Sequence, residues 1–267
     1  LCNNLRNILL TISYDGTDFC GWQRQDHAPN LKQVRTVQEE LEKALEKMHK
    51  SHIVLHGSGR TDSGVHAAAQ AANFFSPVDS IPVKNYIPAL NALLPHDIRI
   101  MDASEKDENF DARFSATSRV YRYFISCSQT VLANQMPYVW SIFRTPDIEK
   151  LNQMASCLKG EIDCASLAAA GDQSLSTKRY LEKAFFYTVP GFPSGDLLVF
   201  EIEANAFLWK MVRTAVGTLI EFERDGKDSS YFKEVLDSRD RTRAGVTAPP
   251  YGLFLWQIKF DGIRRHV

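Results

Sequence analysis

Ile8-Leu9-Leu10-Thr11-Ile12 is an apolar, β-prone run that stops at the turn signal Tyr14-Asp15-Gly16-Thr17, and it predicts a strand. After a polar loop, Val34, Val37, Leu41, Leu45 and Met48 fall on one stripe at helical spacing, with glutamates and lysines on the opposite face. Thr36 followed three residues on by Glu39 has the form of a capping box. The pattern then predicts a strand at Ile53, a glycine-rich loop, an apolar run ending at Phe74-Phe75, and a short helix from Ile87 to Leu94 that Pro95 stops.

The second half repeats this plan. Thr145-Pro146 opens a helix that Gly160 ends, with Ile148, Leu151, Met154 and Leu158 on its core side. Lys183 to Val189 and Leu197 to Glu203 read as strands joined through Gly191, Pro193 and Gly195. Asn205-Ala206 lead into a helix with a broad apolar face of Leu208, Met211, Val212, Ala215, Val216, Leu219 and Ile220. Lys210, Arg213, Thr214 and Gly217 form its other stripe. Gly245 to Tyr251 makes a Pro-rich loop, and Leu253 to Phe260 alternates as a strand. Each half thus reads strand, loop, helix, loop, strand, and Val34-Arg35-Thr36-Val37 even matches Val212-Arg213-Thr214-Ala215. The fold class is α+β: two similar halves, 1–112 and 113–267, of mostly antiparallel mixed sheet with helices packed on one face.

Composition narrows the setting. A chain of 267 residues with 44% hydrophobic and 24% charged residues is an ordinary globular one, long enough for one large core or two smaller ones. No apolar run approaches the ~20 residues of a membrane span, and Ile8-Leu9-Leu10 is too short for a signal-peptide core. The five cysteines, Cys2, Cys20, Cys127, Cys157 and Cys164, are odd in number, scattered and without a C-x-x-C pair. They point to reduced thiols in the cytoplasm and argue against a zinc site. A net charge of −1 demands no polyanionic partner. Basic residues nevertheless cluster: Arg113, Arg119 and Arg122; Lys178, Arg179 and Lys183; Lys210 and Arg213; Arg239, Arg241 and Arg243; Arg264 and Arg265. Each cluster reads as a solvated face, or, if several converge, as part of a polyanion track.

The chemistry concentrates in Gly57 to Phe75. Gly57, Gly59 and Gly64 give the backbone access to positive φ and close approaches. Arg60 and Asp62, two apart, share one side of an extended segment, where a guanidinium favours the ionised carboxylate. Asp62 is thereby a candidate nucleophile or base; the alternative is an Asx-type turn with a surface ion pair. Other motifs fail. Tyr14-Asp15-Gly16-Thr17 resembles the phosphatase D-x-D-G-T, but Ser13 occupies the nucleophile position. Gly57-Ser58-Gly59 does not continue as G-x-G-x-x-G, no G-K-[ST], H-E-x-x-H or G-x-S-x-G occurs, and His66 reads as a structural hydrogen-bonder.

Five separated segments, in order, resemble the TruA-type tRNA pseudouridine synthases. They are Tyr14-Asp15-Gly16 with Phe19, Gly21-Trp22-Gln23 and Gln25; Gly59 to Ala67; Phe110 to Ala116 followed by Arg119, Tyr121 and Tyr123; Asn205 to Leu208 with Met211-Val212-Arg213 and Val216 to Leu219; and Ala248 to Leu253. Ser63, where the family usually has Ala, and Trp209-Lys210, in place of a pair often rich in His, are departures that bear on RNA contacts. The resemblance implies an isomerase that breaks the N1–C1′ bond of uridine in tRNA, turns the flipped-out base and rejoins it through C5, without cofactor or metal. By match to the motif, Asp62 is the catalytic carboxylate and Arg213 its arginine partner. Tyr121 stacks on the flipped base, and Arg60 contacts phosphate or fills the gap that the uridine leaves. The implied partner is the anticodon stem-loop, at positions 38 to 40 of tRNA, bound by a homodimer with an active-site cleft between the two halves of the chain. The rival reading is a non-catalytic RNA-binding module.

Overall fold

The structure, a computed structural model, describes residues 5–25, 34–191 and 195–265. Cys2 and Pro193 lie outside them. In chain order the elements are β1 (Arg6–Tyr14), α1 (Val37–His49), β2 (His56–Gly57), β3 (His66–Ser76), α2 (Tyr86–Leu93), β4 (Ile98–Lys106) and β5 (Ser118–Ser126). They continue with β6 (Trp140–Ser141), α3 (Ile148–Ala155), β7 (Gly160–Asp163), β8 (Lys178–Pro190), β9 (Asp196–Ala204), α4 (Met211–Arg224), α5 (Ser229–Ser238) and β10 (Leu253–Lys259). The α+β class is therefore as the pattern predicts. The chain divides into two compact units, one running to Ala116 and including Leu255–Asp261, the other Thr117–Phe254 with the tail from Gly262.

In the first unit the strands run in the order β4-β1-β3-β10, and β1 pairs antiparallel with both β3 and β4. Ile8 sits opposite Phe74 and Leu10 opposite Ala72. All four side chains are fully buried, which makes this pairing the unit's core. The register slips between Ile12 and Tyr14, and such a bulge re-aims the side chain that follows. β4, absent from the sequence pattern, is an edge strand with alternating burial only at its start. Buried Asn7 and Asn73 hydrogen-bond each other at 2.9 Å. They also take the carbonyls of Asp107 and Phe110 and the amide of Ala112, so the segment after β4 is held by side chains.

Helix α1 buries Val37, Leu41, Ala44 and Leu45, at helical spacing, each side chain contributing about 1.5–3 kcal/mol for the larger residues. Three expectations around it change. The capping box does not form: Thr36 makes no side-chain cap, and the Val37 and Gln38 amides bond the carbonyls of Gly21 (3.3 Å) and Trp22 (3.0 Å) instead. The Thr36 hydroxyl is left buried without a partner. Glu42 is buried, not solvent-facing. It accepts the amides of Leu55 and the Gln38 side chain and pairs with Arg24 at 3.1 Å. Ile53 lies in no strand, because Leu55 N–H and C=O are taken by Glu42 (3.2 Å) and Gln38 (3.2 Å) and not by a neighbouring strand. Val34-Arg35-Thr36, which matches Val212-Arg213-Thr214 in sequence, precedes α1, whereas Arg213 lies inside α4.

In the second unit β5-β9-β8-β7 form an antiparallel run, and β6 adds a parallel pairing to β5. Helix α3 packs on β8 and against α4 and α5. It starts one residue after Asp147, whose carboxylate accepts the amides of Glu149 and Lys150, and not at Thr145-Pro146. The stripe of α4 holding Thr214 and Gly217 is buried beneath residues 244–248. A Cβ on Gly217 would lie 1.9 Å from the Val246 carbonyl oxygen, so only glycine lets that loop reach the helix.

The Thr36 hydroxyl gives a direct test. Thr36→Val removes a buried, unbonded hydroxyl at nearly constant volume and is expected to raise stability by about 1 kcal/mol in a urea titration. A loss of about 1 kcal/mol would show that the hydroxyl caps α1 after all.

Candidate active site

The Asp62 loop is built by three neighbours on the first unit. Residue 21 has φ +93°, and a Cβ there would lie 2.6 Å from the Thr61 carbonyl oxygen, so glycine is required. The Trp22 amide donates to that same carbonyl at 3.2 Å, and the Gly64 amide and Ser63 hydroxyl both donate to the Phe19 carbonyl. From the other side, the fully buried Gln70 donates to the Gly59 carbonyl at 3.0 Å. Tyr14, re-aimed by the β1 bulge, meets the Thr61 hydroxyl at 2.8 Å in a buried hydrogen bond. Asp62 itself is half-buried, and its carbonyl closes the turn by accepting the Val65 amide at 3.2 Å.

Of the three glycines singled out in sequence, Gly64 adopts positive φ (+75°) and Gly57 allows a close approach, of Trp22. Gly59 has neither role. Arg60 does not pair with Asp62. The segment is irregular, and the exposed Arg60 donates its Nε to Gln23 Oε1 at 3.1 Å. His66 is fully buried, and its Nδ1 accepts the Gly16 amide at 3.0 Å. The same Nδ1 lies 3.1 Å from the Asp15 carboxylate. Asp15 is occupied by the amide and hydroxyl of Thr17. His66 is thus the structural hydrogen-bonder that the sequence suggests. Arg35, just ahead of α1, is committed to Asp97 through two hydrogen bonds and lies 4.1 Å over the Phe19 ring. Its bonds to Asp97 raise its pKa above the ordinary value.

On the second unit, Tyr121 is half-buried on β5 opposite Ile202 of β9. The Phe207 ring meets it edge-to-face, with centroids 5.0 Å apart and planes at 86°. Tyr123, two residues on, is core: fully buried, its hydroxyl donates to the Pro249 carbonyl at 2.7 Å, and burial pushes its pKa far up. Arg213, half-buried on α4, donates Nε to the Ala248 carbonyl at 2.8 Å, and the Ala248 amide donates back to the Arg213 carbonyl at 3.1 Å. This two-way bond fixes the guanidinium against the 244–248 loop. That loop is secured in turn by Thr218 and Glu221 of α4 and by Arg241.

Three of the clustered arginines are engaged within the fold: Arg122 pairs with Glu201, Arg239 with Asp163, and Arg119 bonds the Asn205 carbonyl. Tyr14, Thr61, Gln70 and the Gly21-Trp22 backbone are the supports that sequence reasoning missed. Gly21-Trp22 stands out in the motif, but its partner, the Thr61 carbonyl, carries no sequence signal. Among the described residues, no group of three or more His, Cys, Asp and Glu side chains could hold a metal ion. No described helix is long and apolar enough to cross a membrane.

A family model described as tRNA pseudouridine synthase matches residues 10–115 and 154–261. A tRNA pseudouridine synthase A of Treponema denticola is 56% identical over 260 residues, covering 97% of this chain and 95% of its own. A protein of the same name from Brachyspira hyodysenteriae is 43% identical over 96% of this chain and 99% of its own. One from Francisella tularensis is 39% identical over 96% of this chain and 95% of its own. The chain belongs to the tRNA pseudouridine synthase family.

Tyr14→Phe should leave the Thr61 hydroxyl buried without its partner. The expected cost is about 1–3 kcal/mol in a denaturant titration, with a fall in turnover because Asp62 is the next residue. Unchanged stability and turnover would contradict this support.

Proposed function

We propose that this chain converts uridine to pseudouridine at positions 38 to 40 in the anticodon stem-loop of tRNA, with Asp62 starting the reaction. Family membership makes it an enzyme that isomerises uridine in tRNA. The observation that carries the residue assignment is the number of supports on the loop that holds one carboxylate. Thr61, immediately before Asp62, is held at its carbonyl by Trp22 and at its hydroxyl by Tyr14. A module that only binds RNA needs cations and rings, but no half-buried, braced carboxylate.

The target base leaves the stack before it can be reached. Asp62 acts on the ribose, by attack at the sugar or by removal of a sugar proton, and the N1–C1′ bond breaks. The uracil turns, C5 bonds to C1′, and the C5 proton leaves, so atoms and charge balance with no oxidant and no water consumed. Tyr121 holds the flipped base, its ring set by the edge-to-face contact with Phe207. Arg213 is the cation that stabilises the carboxylate, and the Ala248 carbonyl fixes its orientation. Arg60, exposed and held only through its Nε, is suited to a phosphate or to the gap left by the flipped uridine. We place the protein in the cytoplasm, where tRNA is at hand and the unpaired Cys20, Cys127, Cys157 and Cys164 stay reduced. We infer from the family resemblance that it works as a homodimer without cofactor.

Uridine tritiated at C5 reports the last step, because label is released only once C5 has bonded to the sugar. Wild-type protein should release it from tRNA with a chelator present. Asp62→Asn should slow release by about ten-thousandfold, roughly 5.5 kcal/mol of barrier, while holding tRNA within tenfold of wild type. Turnover by Asp62→Asn within tenfold of wild type would remove Asp62 from the mechanism.

Affinity for tRNA should fall steeply between low and physiological salt, since cations that meet phosphates displace counterions. A flat salt dependence in a filter-binding assay would contradict an extended phosphate track.

A further inference from the structure

The turn that leads into α4 carries a second aromatic side chain that nothing in the reaction just described uses. Trp209 is 46% exposed, whereas Trp22 is buried and Trp140 and Trp256 are partly so. Its backbone is nevertheless tightly held. The Trp209 amide donates to Asp172 Oδ2 at 2.5 Å, and the Ala169 amide donates to the Trp209 carbonyl at 3.0 Å. Lys210 adopts φ +59°, a conformation that costs a residue with a side chain, and its Nζ lies 4.4 Å over the Trp209 ring. A rigid backbone thus presents a large ring to solvent, with an ammonium on its face.

The loop that clamps this turn is itself anchored by a buried cation. Arg179, about nine-tenths buried, donates to the carbonyls of Ser176 and Lys178, while its Nε has no partner. Asp172 is the acid near it, and burial raises that carboxyl's pKa, but hydrogen bonds from Ser174 and the Trp209 amide outweigh burial and keep it ionised. The cations of Arg179 and Lys210 outnumber the single Asp172 carboxylate, which leaves this corner positive. Trp209 also lies two residues after Phe207, the ring set against Tyr121. Two residues of chain span at most roughly 7 Å, about the reach of one to two nucleotides.

We propose that Trp209 is a second stacking platform for RNA. It takes an unpaired nucleotide neighbouring the target uridine, and Lys210 shifts from the ring to that nucleotide's phosphate. The occupant follows from the site: a π-face with cations beside it suits a base carrying a phosphate, and stacking accepts any base. The inference rests on the reading of Tyr121 as the residue that holds the flipped base.

The test measures binding and turnover on an anticodon stem-loop RNA, intact and with each loop nucleotide in turn made abasic. Trp209→Ala is expected to raise Kd and KM about ten- to hundredfold, from the usual worth of base–aromatic stacking, with kcat at saturating RNA within threefold. Trp209→Phe should stay within about threefold of wild type. One abasic RNA should cost wild type the same factor and cost Trp209→Ala nothing more, the signature of a shared contact. RNA should also quench wild-type tryptophan fluorescence, and Trp209→Phe should remove most of that quenching, a readout that holds even if the alanine variant folds poorly. Kd for a folded Trp209→Ala within threefold of wild type, losses that add in full, or quenching unchanged in Trp209→Phe would overturn the proposal. If wild type binds and converts this RNA, such results fall on Trp209 alone; if wild type converts no uridine, the functional reading falls and takes this inference with it.

Discussion

The first unit depends on what one short stretch of backbone, Phe19 to Gln23, does with its amides and carbonyls. Gly21 and Trp22 give their carbonyls to the first amides of α1, while the Trp22 amide and the Phe19 carbonyl bond the loop around Asp62. A helix start and the Asp62 loop thereby share one strip of chain. Backbone hydrogen bonds are directional, so the strip passes position from the helix to the loop. Thr36 caps nothing there, and the Val37 and Gln38 amides take the carbonyls of this strip in place of a side-chain cap. The Gln38 and Glu42 side chains, bonded to each other and to Gln23, Arg24 and Leu55, close the same region from the helix side.

The second unit solves the corresponding problem with a loop pressed onto a helix. Gly217 lets Val246 approach α4, Thr218 and Glu221 bond the amides of Gly245 and Val246, and Ala248 then meets Arg213 through both its amide and its carbonyl. Each unit thus places a charged side chain on a segment whose backbone has nowhere else to go. A carboxylate or guanidinium held in this way loses little freedom when substrate arrives, which is how preorganised sites reduce the cost of reaching the transition state.

How much of this was legible in the sequence follows from the kind of interaction involved. Periodicity found β1, α1, α2, α3, β8, β9, α4 and β10, because each buries a regular apolar face. It missed β4, an edge strand of mixed polarity, and it made a strand of Ile53, where side chains of α1 replace a strand partner. It also put Glu42 on the polar face of α1, and it could not show that the α4 stripe of Thr214 and Gly217 is covered by a distant loop. Asp62 stood out because glycines surround it. The Tyr14–Thr61 bond, the Gln70 brace and the Trp22–Thr61 backbone bond did not, because they join residues far apart in the chain through groups that every sequence contains.

The claim that Phe19 to Gln23 couples the helix to the Asp62 loop is tested most directly by amide hydrogen exchange in Gly21→Ala. Residue 21 sits at φ +93° with the Thr61 carbonyl 2.6 Å from a built Cβ, so alanine must strain the strip. The account predicts that the amides of Trp22, Val37, Gln38, Gly64 and Val65 lose protection together, while those of Leu10 and Ala72 in the β1–β3 pairing keep theirs. Loss of protection at Val37 and Gln38 alone, with Trp22, Gly64 and Val65 as slow as in wild type, would contradict it.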